Sequence, residues 1–159
     1  MRTIDIGIKE IDKIYHIADV HVRNVKRHKE YEQVFKRLYK YIQKTYTNNS
    51  IIYVAGDIVH AKTDMSPELV ATVSDFFKNL ADIAPTIIIT GNHDCNLNNS
   101  SRLDAITPIV NALNHTNIHY LKDTGIYYIS NVHFNVMSVY DAPSQFIKSS
   151  DFDGNYKIA

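Results

Sequence analysis

A chain of 159 residues can bury one core, and its 17 Lys plus Arg balance 17 Asp plus Glu, so no bulk positive charge draws it to nucleic acid and any phosphate contact has to be local. The single cysteine, Cys95, excludes an intrachain disulfide and fits a small packing residue in a reducing compartment. Met1 to Lys13 interleaves Arg2, Asp5, Lys9, Glu10, Asp12 and Lys13 with isoleucines, unlike a secretory signal, and no apolar segment is long enough to span a bilayer. The expectation is an intracellular protein, cytoplasmic or nuclear, with no membrane partner.

The first apolar run, Ile14 to Ala18, reads as a strand that ends abruptly in Asp19-Val20-His21. From His28 to Tyr46 the spacing of Tyr31, Val34, Phe35, Leu38 and Ile42 predicts an amphipathic helix with Lys29, Glu32, Lys36 and Lys40 toward solvent. A second strand, Ile51 to Ala55, runs into Gly56-Asp57-Ile58-Val59-His60. Ser66 as N-cap and Pro67 at the first helical position start a helix that buries Leu69, Val70, Val73, Phe76, Phe77 and Leu80. The third strand, Thr86 to Thr90, leads into Gly91-Asn92-His93-Asp94. A helical stretch follows from Ser101 to Leu113, interrupted at Pro108 with Thr107 as a second cap, then a strand from Asn117 to Leu121. Ile126 to Ile129 and Val132 to Val139, joined by Ser130-Asn131, read as a hairpin, and Tyr156 to Ala159 as the opening of another strand.

Strands alternating with helices predict an α/β fold with a mostly parallel first sheet and right-handed crossovers, and the hairpin predicts an antiparallel start to a second sheet. Isoleucine-rich runs without clean alternation suit strands covered on both faces. In such sheets ligands bind beyond the carboxyl ends of the strands. Asp19, His21, Asp57, Asn92 and His93 are therefore expected to converge on one rim. Singly, Asp-x-His or Gly-Asp is ordinary turn chemistry; three such clusters at successive strand ends are more than turns require. Carboxylate, imidazole and amide oxygen make a mixed oxygen and nitrogen ligand set that suits Mn, Fe or Zn. Asp57, on the middle strand, is placed to share its two oxygens between two ions. A pair of ions in that arrangement clamps a phosphoryl group for in-line displacement, so phosphate ester hydrolysis is the chemistry expected.

These clusters, in this order, resemble the calcineurin-like metallophosphoesterase superfamily over most of the chain. His60, where many of its phosphatases carry aspartate, resembles the nuclease subunits of DNA double-strand-break repair complexes, as do the Ser-Pro-started helix and Arg102-Leu103-Asp104. The resemblance implies a four-layer α/β/β/α sandwich with two divalent ions at one rim, Mn foremost and Fe, Zn or Mg as alternatives. It implies that Asp19 and His21 hold the first ion, that Asp57 bridges, that Asn92 holds the second, and that His93 protonates or steadies the transition state. His60 would stand beside the scissile phosphate, Asp94 would orient His93 or hold the loop, and Arg23 would be an ordinary surface arginine or meet a backbone phosphate. DNA or another phosphodiester is the implied substrate, with an ATPase subunit as a partner of the whole protein.

The family also uses histidines from later Gly-His and Gly-His-x-His motifs, and no Gly-His pair occurs in this sequence. His16, His28, His115, His119 and His133 read as structural or solvent-facing. The expectation is one incomplete domain over residues 1–159, the N-terminal part of a phosphoesterase whose chain stops short of those motifs, with little activity alone. Two other readings compete. One is a non-catalytic module that self-associates through an uncovered second sheet bearing Phe134, Val136 and Val139; the other is a small-molecule phosphatase or phosphodiesterase.

Overall fold

The computed structural model describes residues 2–24 and 27–148, and the backbone of 157–158. In chain order the elements are β1 (Arg2–Thr3), β2 (Lys13–Ile17), α1 (His28–Thr45), β3 (Ser50–Ala55), α2 (Pro67–Ala81), β4 (Thr86–Ile89), α3 (Ile106–Leu113), β5 (Ile118–Leu121), β6 (Gly125–Ile129), β7 (Val132–Val136) and β8 (Lys157–Ile158). Two sheets form, one ordered β2-β3-β4-β5 and wholly parallel, the other ordered β1-β6-β7-β8 with β6 and β7 antiparallel. The fold is α/β, as the alternation of patterns predicts.

Because the parallel strands follow one another in sequence order, same-handed crossovers place all three helices on one face. Side-chain alternation matches this division. Ile52, Val54 and Ile88 point into a core with Phe35 and Ile42 of α1, Leu69, Val73, Phe76, Phe77 and Leu80 of α2, and Ile106 and Ile109 of α3. Their neighbours Ile51, Tyr53, Ile87 and Leu121 point the other way, into a second core with Tyr127, Ile129, Val132, Phe134 and Val136. The described residues thus make three layers: helices, sheet, sheet. None of the described helices is long and apolar enough to cross a membrane.

Several expectations are corrected. Phe134 and Val136 are 1% and 4% exposed, packed between the sheets, so they offer no surface for self-association. Val34 and Val70 fall at helical spacing but on the flanks of their stripes, and both are exposed. The third helix starts only at Ile106. Its cap is Asp104, not Thr107: Asp104 Oδ1 accepts the Ile106 and Thr107 N–H groups at 2.9 and 2.6 Å, and Oδ2 pairs with Lys122 at 2.8 Å. Pro108 then lies in the first turn, where its missing N–H has no carbonyl to serve. The second hairpin strand ends at Val136 rather than Val139, as Ser138 N–H turns to the Thr124 hydroxyl.

The N-terminal segment has a role that composition did not suggest. β1 pairs in parallel with β6, and Ile4, Ile6 and Ile8, at period two, pack onto the inter-sheet core. Ile11 N–H donates to Asn131 Oδ1 at 2.7 Å and Ser130 Oγ donates to the Ile8 carbonyl, tying this segment to the hairpin turn.

Candidate metal centre

β2, β3 and β4 run side by side in register, with Ile17 beside Val54 and Ala55 beside Ile89, so their following loops leave from one edge. Backbone hydrogen bonds join the first two loops. His21 N–H donates to the Asp57 carbonyl at 2.9 Å, Val22 N–H to the Ile58 carbonyl at 2.8 Å, and His60 N–H to the Val22 carbonyl at 3.0 Å. Val22 and Val59, both fully buried, anchor this extension of the ladder.

Asp94 ties in the third loop. Its carboxylate is fully buried and accepts three backbone N–H groups, those of Ile58 at 2.8 Å, Val59 at 3.0 Å and Gly91 at 2.9 Å. Burial pushes its pKa up to about 6, against the pull of those three donors. Of the two roles weighed for Asp94, the structure assigns loop support, because the His93 ring is held elsewhere. His93 Nδ1 lies 2.8 Å from the His60 carbonyl. A carbonyl only accepts, so Nδ1 carries a proton there, and Nε2 is the ring nitrogen left outside that contact.

Two glycines let the loops meet. Gly56 has φ +77°, and a Cβ on it would stand 2.5 Å from Gly91 N; a Cβ on Gly91 would stand 2.1 Å from Asp57 Oδ1. Any other residue at either position would drive a side-chain carbon into backbone or into the carboxylate. That carboxylate also accepts the His93 N–H at 2.9 Å, which fixes it over the third loop.

Asp19, His21 and Asp57 adopt left-handed backbone, with φ of 54°, 49° and 52°. L-residues other than glycine pay on the order of 1 kcal/mol for this conformation, aspartate somewhat less, and such residues gather where geometry serves a site. One donor atom from each of these three residues lies within 4.8 Å of the others, and His21, His60 and His93 form a second group on the same criterion. His21 belongs to both. Its ring centroid is 4.6 Å from that of His93, and Asp19 Oδ1 is 3.7 Å from its Nε2.

The donors fit a divalent ion. His21 Nδ1 is buried without a hydrogen-bond partner among the described residues, a costly state that an added ligand or polar group relieves. His60 is pushed below the usual imidazole pKa, first by partial desolvation and then by Arg23, His21 and His93, which favours the neutral, electron-donating form. Asn92, on the exposed rim, lines a pocket with His60, His93, Lys62 and Leu97. The six candidate residues therefore lie on one edge: Asp19, His21 and Asp57 as one triad, His60 and His93 joined to it through His21, and Asn92 beside His93.

The remaining histidines stand apart from both groups. His28 Nε2 meets the Arg23 carbonyl at 2.7 Å, His115 Nε2 meets Asp82 at 3.1 Å, His16 packs on Tyr53 and His133 on Tyr128. His119 is half-buried on β5, and burial lowers its pKa. Cys95 is buried and its thiol pKa raised by burial, consistent with a packing residue. The positive φ values, the three backbone contacts of Asp94 and the Lys62 pocket were absent from the sequence reading; the paired Gly56 and Gly91 were its nearest signal.

A nuclease MPE from Pseudomonas putida matches with a TM-score of 0.46 and 21% identity, over 77% of this chain and 52% of that one. An uncharacterized protein of Acanthamoeba polyphaga mimivirus is 50% identical over 134 residues, which are 83% of this chain but only 10% of the viral protein. The present chain thus spans about a tenth of the length of that curated relative. The family model for calcineurin-like phosphoesterases matches residues 12–156, nearly the whole sequence and all three polar clusters. On that match the chain belongs to the calcineurin-like phosphoesterase family.

Proposed function

We propose that this chain carries part of a two-ion phosphodiesterase centre acting on DNA, a nuclease of the double-strand-break repair type, with Mn as the foremost ion. The observation that supports it is the meeting of Asp19, His21 and Asp57 donor atoms within 4.8 Å, continued through His21 to His60 and His93. Asp19 and His21 would hold one ion, Asn92 the other, and Asp57 would share its carboxylate between them. Bound ions would supply charge stabilisation to the phosphoryl oxygens.

The chain's own groups do the rest. His93, with Nδ1–H tied to the His60 carbonyl, keeps Nε2 for proton exchange with the leaving oxygen. His60 stands beside the phosphate. The Asp57 carboxylate, anchored by the His93 N–H, couples the position of the proton-transfer group to that of the ions. With no Gly-His pair among the 159 residues, turnover by these residues alone is expected to be small, and the activity belongs to the whole protein.

The test is Mn2+ titration calorimetry on the chain and its Asp57→Asn variant, alongside hydrolysis of single-stranded DNA, duplex DNA and a chromogenic phosphodiester by the whole protein. Binding that falls more than about 100-fold in Asp57→Asn, with DNA cleaved by the whole protein, supports the proposal. No Mn2+ binding by the parent chain, or binding indifferent to Asp57, sinks it.

A further inference from the structure

Two cations bracket the histidine cluster in a chain whose formal charge sums to zero. Arg23 follows Val22, whose carbonyl accepts the His60 N–H at 3.0 Å, so Arg23 and His60 are neighbours across the loop bridge. Lys62 lies two residues beyond His60 on the other side. Neither head group has a hydrogen bond or ion pair among the described residues; Asp64, the acid nearest Lys62 in sequence, is bonded by Asn24 instead. Lys62 is half-buried and lines the cavity, so its ammonium is available to an anion that enters there.

Its surroundings say which anion. Lys62 lines one pocket with Thr63, His60, Asn92, His93 and Leu97, so it shares a cavity with the rim where the scissile phosphate would sit. Leu97 is 53% exposed and forms an apolar wall of that cavity. A cation, a hydroxyl and an apolar wall a few residues from the ion-binding edge match the parts of a nucleotide: phosphate, sugar and base. An orthophosphate monoester would fill only the rim and leave this pocket idle.

We propose that the Lys62 pocket binds the nucleotide adjoining the scissile bond, with the ammonium on the neighbouring phosphate and Leu97 against the base. This makes Lys62 a specificity residue for polymeric phosphodiesters over monoesters. It rests on the metal-centre reading above, so the two are tested separately.

The probe is a fluorescein-labelled oligothymidylate with hydrolysis-resistant phosphorothioate links, titrated by anisotropy against the Mn2+-containing chain over a range of salt. Lys62→Gln is expected to weaken binding about five- to tenfold and to flatten the slope of log affinity against log salt by about 0.7, the release of one counterion from a single strand. Lys62→Arg retains both. Mn2+ and inorganic phosphate bind Lys62→Gln as they bind the parent. Unchanged oligonucleotide affinity and slope in Lys62→Gln overturn the proposal, as does an equal loss of inorganic phosphate. If the parent binds oligonucleotide through Lys62 but no Mn2+, the metal centre fails while the pocket stands.

Discussion

Removing the Asp94 carboxylate tests whether the rim is assembled by one buried side chain. Asp94→Ala leaves three backbone N–H groups without their acceptor, those of Ile58, Val59 and Gly91, at present 2.8, 3.0 and 2.9 Å from its oxygens. An orphaned buried donor costs about 1–3 kcal/mol. Ile58 and Val59 are fully buried, whereas Gly91 is partly exposed, so water recovers the third donor more readily than the first two. Burial holds the acid at about 6, so the ionised group is itself disfavoured, and its removal returns part of the loss. The net expectation is about 3 kcal/mol, a large share of the 5–15 kcal/mol typical of a domain. In a chain of this length that lowers the melting temperature by about 6–12 °C. Asp94→Asn keeps an acceptor for Ile58 and Val59 but sets an amide N–H against Gly91 N–H, and should fall between. The assay is urea unfolding followed by circular dichroism, with Mn2+ calorimetry on each variant. An Asp94→Ala chain within about 0.5 kcal/mol of the parent, with undiminished Mn2+ binding, would refute the idea that this carboxylate holds the loops together.

Two further outcomes follow from the geometry. Gly56→Ala has to place a Cβ 2.5 Å from Gly91 N at φ +77°, so it should cost at least about 2 kcal/mol in thermal or urea unfolding and weaken Mn2+ binding, whereas Gly7→Ala, with φ +73° but open space around it, should cost only the backbone preference. For Asp104, burial works to raise the pKa, but Lys122, the Thr107 hydroxyl and the Thr107 N–H outweigh it and the net direction is down. A carboxylate lowered in the folded state stabilises above its unfolded pKa and loses that contribution as pH falls through the folded value. The parent should therefore lose its stability advantage over Asp104→Asn in the acid range below pH about 4, and urea midpoints taken across that range check the sign.

Much of the fold was legible because the strand runs and the Ser66-Pro67 start depend on local chemistry. Ser66 does accept the Leu69 N–H, and all four parallel strands fall within a residue or so of their apolar runs. The three polar clusters were legible too, since strand ends in a parallel sheet share an edge. Long-range partners were not. β1 is two residues long and gains its meaning only from β6, more than a hundred positions later. Asp104 was read inside a helical stretch beginning at Ser101, because its role as cap depends on Lys122 and on where α3 begins. Phe134 and Val136 seemed to need a partner because sequence alone cannot show that Ile51, Tyr53 and Ile87 face them. Asp94 was read as orienting His93 or holding the loop, and sequence alone could not choose, because its partners lie 35 and 36 positions away.

The left-handed backbone at Asp19, His21 and Asp57 sets folding and chemistry against each other at the same three positions. Local conformational preference alone would favour glycine at each, and a chain so altered would be easier to fold and empty of donors. Selection for thermal stability, whether in the laboratory or by a design method scoring backbone fit, should therefore erode this edge first. An ancestor or engineered variant that keeps acid and imidazole there despite the cost would be showing a demand that folding did not impose.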